Sequence, residues 1–266
     1  MRSATWPGEV GLANLVEIFW SAQGEGPHLG RSTVFVRFGE CDLRCAWCDS
    51  PQTWRPANHC RIEEAPGSGR FHETLNPVTA TTVAAALDAL APRAGSFLSL
   101  TGGEPLLQPD AVVEIAALGR ERGLRVSLET HGLGAPALSR VIDAVDVVSM
   151  DWKLPSDVKA ADPDAQPAEA FAERHQAFLA CAHAGAEVYV KVVVTPNTAQ
   201  VELDDVCRRV ARTAPDVPLI LQPVTPAGRV RERSDAKVLL AHLRRCEKKL
   251  ADVRLIPQTH TIYGAL

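Results

Sequence analysis

The sequence predicts an α/β domain built on a mainly parallel sheet. Short apolar runs rich in β-branched residues alternate with stretches of helical period through most of the 266 residues. Gly123 and Gly185 close helical runs just before strands. The polar, chemistry-bearing motifs fall where strands end, which is where ligands gather in parallel α/β sheets. Strands joined through helices run parallel, because only a long crossover returns the chain to the same end of the sheet. Periodicity alone allows either a sheet curled toward a barrel or an open, doubly wound one.

In chain order, strands are expected at 33–38, 96–100, 125–129, 145–150, 187–194, 219–222 and 253–256. Helical stripes lie between them. Val83, Leu87 and Leu90 recur at i, i+4 and i+7, and Leu239, Leu240, Leu243, Cys246 and Leu250 trace another. Ser234 is the expected N-cap of the last helix. Residues 55–77 break the rhythm: Pro56, Pro66, Gly67, Gly69 and Pro77 are dense and apolar periodicity is absent, so a surface insertion is expected there. The Pro- and Ala-rich stretch 155–167 reads as a second irregular loop. Because βα units continue on both sides of each, residues 1–266 are expected to form a single domain.

Composition excludes several function classes. A net charge of −4 supplies no basic field for nucleic acid. No apolar run approaches the ~18 residues of a membrane span, and the N-terminal sequence lacks an apolar signal segment. The expectation is a cytoplasmic protein with neither nucleic acid nor membrane as partner. Seven cysteines, an odd number, argue against a secreted disulfide framework. Cys181, Cys207 and Cys246 fall in apolar helical patterns and are expected as small buried side chains, whereas Cys60 lies in a polar segment as a spare thiol.

The chemistry concentrates at Cys41, Cys45 and Cys48, spaced C-x3-C-x2-C. A structural zinc site takes four protein ligands, and no fourth lies nearby at finger or ribbon spacing. A 4Fe–4S cluster held by three thiolates leaves one iron open to bind a small molecule and pass it an electron. A zinc loop borrowing a distant histidine is the alternative. After the strand ending at Leu100, Gly102 and Gly103 let the backbone approach a ligand, and Glu104 can hold a ligand ammonium; a plain βα turn is the alternative. Upstream, Gln23 and Glu25 flank Gly24 and offer amide groups beside a carboxylate, which suits a heterocycle with N–H and carbonyl edges. Strand alternation puts Arg37 on one face with Phe35, a position for a bidentate carboxylate clamp or for a structural ion pair. Asp49 and Ser50 carry hard oxygen donors acceptable to Mg2+, or form a turn.

The cysteine spacing, with Trp47 just before the last thiol, resembles the signature of radical S-adenosylmethionine (SAM) enzymes. A longer set of landmarks resembles one family among them, the 7-carboxy-7-deazaguanine synthases of queuosine and deazapurine biosynthesis. These are Glu-x-Phe-x-Ser-x-Gln-Gly-Glu-Gly from Glu17 to Gly26, the Phe-x-Arg strand ending near Arg37, Thr101 to Pro105, Glu129 to Gly132, Asp151 to Ser156, Gln222 with Pro223, and Pro257 to His260. The resemblance spans nearly the whole chain.

The resemblance implies an abridged, radical SAM-type partial β/α barrel, a homodimer, and three cofactors: a 4Fe–4S cluster, SAM and Mg2+. It implies 6-carboxy-5,6,7,8-tetrahydropterin as substrate and an electron donor such as flavodoxin or ferredoxin. Radical chemistry would begin at C6 of the pterin, contract its ring, release ammonia and regenerate SAM, making the enzyme a carbon–nitrogen lyase. By position, it implies that Cys41, Cys45 and Cys48 bind the cluster. Trp47, Asp49, Gly103, Glu104, Lys153 and Gln222 would neighbour SAM. Gln23, Gly24, Glu25, Arg37, Thr101 and His260 would meet the substrate, and Ser50 the Mg2+. The chain departs from the family pattern at Ser50 for threonine, His131 for asparagine and Thr261 for lysine. Two rivals remain. A glycyl-radical activase shares the cysteine loop but would leave Gln23, Glu25 and Arg37 without work. The other is a non-catalytic zinc or iron–sulfur module.

Overall fold

The structure, a computed structural model, describes residues 12–90, 93–164, 167, 170–262, 264 and 265. Strands β1 (Leu15–Ala22) and β2 (Ser32–Phe38) form an antiparallel pair, followed by the short β3 (Leu43–Cys45). A second antiparallel hairpin comprises β4 (His59–Glu63) and β5 (Phe71–Leu75). From there the chain settles into alternation: α1 (Ala80–Ala89), β6 (Phe97–Gly102), α2 (Pro109–Glu121), β7 (Arg125–Thr130), α3 (Ala135–Val141) and β8 (Val147–Asp151). It continues through β9 (Val158–Ala160), α4 (Phe171–Gly185), β10 (Glu187–Val194), α5 (Gln200–Thr213), β11 (Leu219–Pro223), α6 (Ala236–Cys246) and β12 (Val253–Leu255). No helix among the described residues is long and apolar enough to cross a membrane.

Among the described residues, ten strands share one sheet in the order β12-β11-β10-β8-β7-β6-β2-β1-β4-β5. Every pair is parallel except the two hairpins. The ladder therefore has two ends, β12 and β5. All seven strands expected from the sequence are present, each within two residues of its expected bounds.

Alternation along these strands sorts two chemistries onto two faces. Val34 and Val36, Leu98 and Leu100, Val126 and Leu128, Val148 and Met150, and Val190 and Val192 point to the helices and join one continuous core. Each such side chain, fully buried, stabilises the fold by ~1.5–3 kcal/mol. The residues between them point inward. Near the strand starts these are apolar, with Phe97, Val147, Tyr189 and Ile220 forming a plug. Toward the strand ends they become polar and charged: Thr101, Glu129, Asp151, Lys191 and Gln222. An apolar floor under a polar mouth is the layering that positions a site.

Several expectations are corrected. Residues 55–77 hold the β4–β5 hairpin, which pairs β4 with β1 and lengthens the sheet. Cys60 is fully buried in the core beside Ile62, not a spare surface thiol. With only those two core-facing apolar residues, the strand is too short for its period to stand out. The 155–167 stretch includes β9, which pairs with β3 inside the cysteine loop, Leu43 opposite Ala160 and Cys45 opposite Val158. Asp235, not Ser234, caps α6 by accepting from Lys237 N at 2.7 Å, while Ser234 Oγ donates to Val194 O at 3.1 Å. Leu240 leaves its expected stripe and is exposed. Cys207 and Cys246 are buried as expected, and Cys181 half-buried. Gly123 ends α2 at φ +70° as its position suggested. Gly185 ends α4 just before β10, also as expected, and a Cβ there would stand 2.5 Å from Ile142 Cγ1.

Candidate active site

The inward ends of β1, β2, β6, β7, β8, β10 and β11 surround a cavity of about 520 Å³. Its remaining walls are the cysteine loop and the segment around Gln258 and His260. Phe19 and Phe35 stack within it, ring centroids 5.1 Å apart.

Cys41, Cys45 and Cys48 all line this cavity as free, half-buried thiols. Their loop is braced on both sides. Ala46 N donates to Asp157 O at 2.9 Å, and Ala46 O accepts from Arg229 N at 2.7 Å. Arg44 bends back to donate to Cys41 O at 2.8 Å and Leu43 O at 2.7 Å. Burial pushes the Cys41 thiol up to about 12 and raises that of Cys45. Bound iron would supply the positive charge that such thiolates otherwise lack. Among the described residues no three His, Cys, Asp or Glu side chains converge as a site for one ion.

Two orphaned atoms mark where an organic cofactor fits. Trp47 Nε1 and Gln222 Oε1 are buried in the cavity wall without a hydrogen-bond partner among the described residues. Leaving a buried donor and a buried acceptor unpaired costs about 1–3 kcal/mol each, which a ligand carrying both groups would relieve. Thiol donors suit an iron–sulfur cluster, so the residues present fit a cluster with an adjoining polar cofactor.

The glycine pair works mainly against the chain's own backbone. Gly102 lies at φ +118°, and a Cβ there would stand 2.4 Å from Phe38 N. Gly103 N donates to Phe38 O at 2.9 Å and Glu104 N to Glu40 O at 2.8 Å, welding this turn to the end of β2. Gly103 also reaches the cavity, but Glu104 lies behind it. The Glu104 carboxylate accepts from Leu106 N at 3.0 Å, Thr130 Oγ1 at 2.7 Å and His131 N at 2.8 Å. Expected beside a ligand ammonium, it instead anchors the turns after β6 and β7. His131 Nε2 bridges from Asp42 at 2.8 Å to Glu104 at 3.3 Å. Burial opposes its charge, yet Glu104 and Asp42 hold its imidazole above the ordinary value.

At the other end, Glu25 faces the cavity, whereas Gln23 and Gly24 sit behind it. Gln23 orients its neighbours. Its Oε1 accepts from Glu25 N at 3.1 Å and its Nε2 donates to Glu129 Oε1 at 2.9 Å. Gly24 receives the C-terminal segment: Thr259 N donates to Gly24 O at 2.9 Å, and a Cβ on Gly24 would strike His260 Nδ1 at 2.1 Å. That contact brings His260 to the cavity. Arg37 lines it too, with Nε on Glu17 Oε1 at 2.8 Å, so the ion pair that the sequence left open as an alternative is present. Ser50 and Asp49 border the opening, and Ser50 O caps a short turn by accepting from Thr53 N at 3.0 Å.

A row of alternating charges joins the two ends. Glu25 accepts from Gln258 Nε2 at 2.6 Å and pairs with Lys191. Lys191 Nζ lies 3.1 Å from Asp151 Oδ1, and Asp151 Oδ2 accepts from Lys153 Nζ at 2.6 Å. Lys153 Nζ stands 4.6 Å above the Trp47 ring. Burial works against every charge in the row, but mutual attraction prevails. Glu25 and Asp151 are held below their ordinary values, and Lys153 and Lys191 above theirs. Sequence reasoning singled out Glu25 and Lys153 but missed Lys191, and noted Glu129, Asp151 and Gln258 only as landmarks. One signal existed: Lys191 is a lone charge in the apolar run Val188–Val194. Period-2 alternation turns it inward.

A family model described as the Radical SAM superfamily matches residues 36–210. A 7-carboxy-7-deazaguanine synthase of Geobacter sulfurreducens is 39% identical over 257 residues, covering 96% of this chain and 98% of that protein. One of Methanopyrus kandleri is 35% identical, covering 94% of this chain and 92% of that one. Among solved structures, QueE from Escherichia coli aligns with a TM-score of 0.57 at 18% identity, over 92% of this chain and 93% of that one. A radical SAM methyltransferase from Sphaerobacter thermophilus aligns at 0.59 and 16% identity, over 85% and 66%. Both structures share the fold. With the thiol loop on the cavity wall and identity sustained over nearly the full length, the chain belongs to the radical SAM superfamily and, within it, to the 7-carboxy-7-deazaguanine synthases.

Proposed function

We propose that this enzyme converts 6-carboxy-5,6,7,8-tetrahydropterin to 7-carboxy-7-deazaguanine with loss of ammonia. The observation that carries this reading is one cavity with three thiols at one end and a carboxylate-rich, aromatic-floored pocket at the other. When bound, the 4Fe–4S cluster and SAM supply the one-electron chemistry that starts the ring contraction. The chain's part is placement. Cys41, Cys45 and Cys48 hold the cluster. Trp47 Nε1 and Gln222 Oε1 complete their hydrogen bonding on SAM, with Asp49, Gly103 and Lys153 beside them and Glu104 fixing the turn from behind.

Glu25 is an acceptor for the N–H edge of the pterin, and Gln23 and Gly24 hold it in register. Glu129 accepts from Gln23, from Ser99 Oγ at 2.8 Å and from Thr101 Oγ1 at 2.9 Å, which leaves Thr101 aimed at the same substrate face. Arg37, held by Glu17, offers its guanidinium to the substrate carboxylate. His260 closes the pocket from the C-terminal side. Ser50, beside the cluster loop, supplies an oxygen to Mg2+. Several directional contacts suit a reaction in which one hydrogen must lie close to the abstracting centre. A homodimer, cytoplasmic location and flavodoxin or ferredoxin as electron donor complete the proposal.

The test is anaerobic turnover with reconstituted cluster, SAM, a strong reductant, Mg2+ and the pterin, read by mass spectrometry. Formation of 7-carboxy-7-deazaguanine over several turnovers without matching SAM loss is expected. SAM cleavage without that product would move the assignment to another substrate.

A further inference from the structure

The four-charge row contains two carboxylates and two ammonium groups, so each internal member is shared. Lys191 is pulled by Glu25 on one side and Asp151 on the other. Asp151 is in turn shared between Lys191 and Lys153. All four line the cavity, and the side chains of both lysines are less than a tenth exposed, so water cannot substitute freely for a lost partner. In such a row a change at one end must be answered along its length.

The two ends face different ligands in the reading above, on which this inference rests. A ligand carboxylate arriving at Lys153, beside Trp47, competes with Asp151 for its ammonium. Asp151 then draws more heavily on Lys191. Lys191 loosens its hold on Glu25, and the Glu25 oxygens become freer to accept from a ligand N–H group. The opposite end is anchored, because Gln258 Nε2 keeps Glu25 in place from the far side at 2.6 Å.

We propose that Lys191 is a positioning residue that couples the two halves of the cavity, so that SAM, bound at the Lys153 end, and pterin, bound at the Glu25 end, each strengthen binding of the other. Reciprocity is required: whatever factor SAM contributes to pterin affinity, pterin contributes to SAM affinity. No bond forms or breaks and no proton needs to move. The coupling is a redistribution of ion pairing among Glu25, Lys191, Asp151 and Lys153.

The test is anaerobic calorimetric titration of the cluster-loaded protein. Pterin affinity is measured with and without SAM, and SAM affinity with and without pterin, with no reductant present. In the unaltered protein each ligand should tighten the other by about 5–150-fold, by the same factor in both directions. Lys191→Arg, which keeps the cation, should retain most of that factor. Lys191→Met should bring it close to one while each ligand still binds alone. Should Lys191→Met fail to fold, Lys191→Gln, which removes the cation but keeps an N–H donor beside Glu25, is measured in its place. Independent binding in the unaltered protein, or undiminished coupling without Lys191, overturns the proposal. Pterin that does not bind the unaltered protein under any condition instead overturns the assignment of the pocket, and the coupling with it.

Discussion

Gln23 and Glu129, 106 residues apart in sequence, meet through a 2.9 Å hydrogen bond from Gln23 Nε2 to Glu129 Oε1. That bond joins the turn after β1 to the end of β7. It makes Glu129 the common acceptor for Gln23, Ser99 and Thr101. A carboxylate can satisfy three donors at once; an amide of the same shape brings donors of its own.

Glu129→Gln should therefore set an NH2 group against at least one of those donors. Pterin affinity is expected to fall by about tenfold or more, which is ~1.4 kcal/mol. Stability should fall by ~1–3 kcal/mol, as for a buried polar group losing its partner. SAM affinity should change little. Calorimetric titration and urea unfolding read these separately, and equal losses for both ligands would mean that Glu129 acts on the whole cavity rather than on the substrate end.

Arg37→Ala should weaken pterin binding and leave SAM cleavage chemistry intact. Because Arg37 also neutralises Glu17, whose side chain is 9% exposed, a loss of ~1–3 kcal/mol in stability is expected as well. Arg37→Lys keeps a charge near Glu17 but not the planar fork, so it should recover stability more than pterin affinity. Full recovery of both by lysine would argue against a bidentate clamp.

Lys191→Met should change how stability depends on pH. In the unaltered protein Glu25 and Asp151 are held below their ordinary values, so they contribute stability that is present above the unfolded carboxylate range of about 4 and is lost as pH falls through their folded values. Without Lys191, burial acts on Glu25 with no compensating ammonium and favours its protonated form. The gap between the two proteins should be widest near neutral pH, on the order of 3–5 kcal/mol for a broken buried pair, and should narrow toward pH 4. Urea unfolding at a series of pH values measures it. A gap that does not vary with pH would show that the loss is one of packing.

Ser50→Ala should lower activity and alter its response to added Mg2+, since it removes the hydroxyl while leaving the backbone carbonyl that receives Thr53 N. Ser50→Thr, which restores the hydroxyl, should retain the response. A Mg2+ titration of turnover, run on both variants, decides it; identical curves for alanine and threonine would exclude the side chain from the metal site.

The order of the amino acids is enough to give the alternation of strands and helices, the gathering of three thiols in one loop and the family. These are local properties. A short, β-branched apolar run such as Val188–Val194, broken only by Lys191, announces a buried strand, and C-x3-C-x2-C places its sulfurs within one loop whatever surrounds it. Long-range packing sets the rest: that 59–63 and 71–75 extend the sheet, that β9 pairs into the cysteine loop, that Glu104 turns to Thr130 and His131, and that Glu25, Lys191, Asp151 and Lys153 form one row. Alternation says which face a side chain takes, but not which residue stands beside it on the next strand. That register spans crossovers of tens of residues, and it is fixed by the packing of helices onto the sheet rather than by any spacing along the chain.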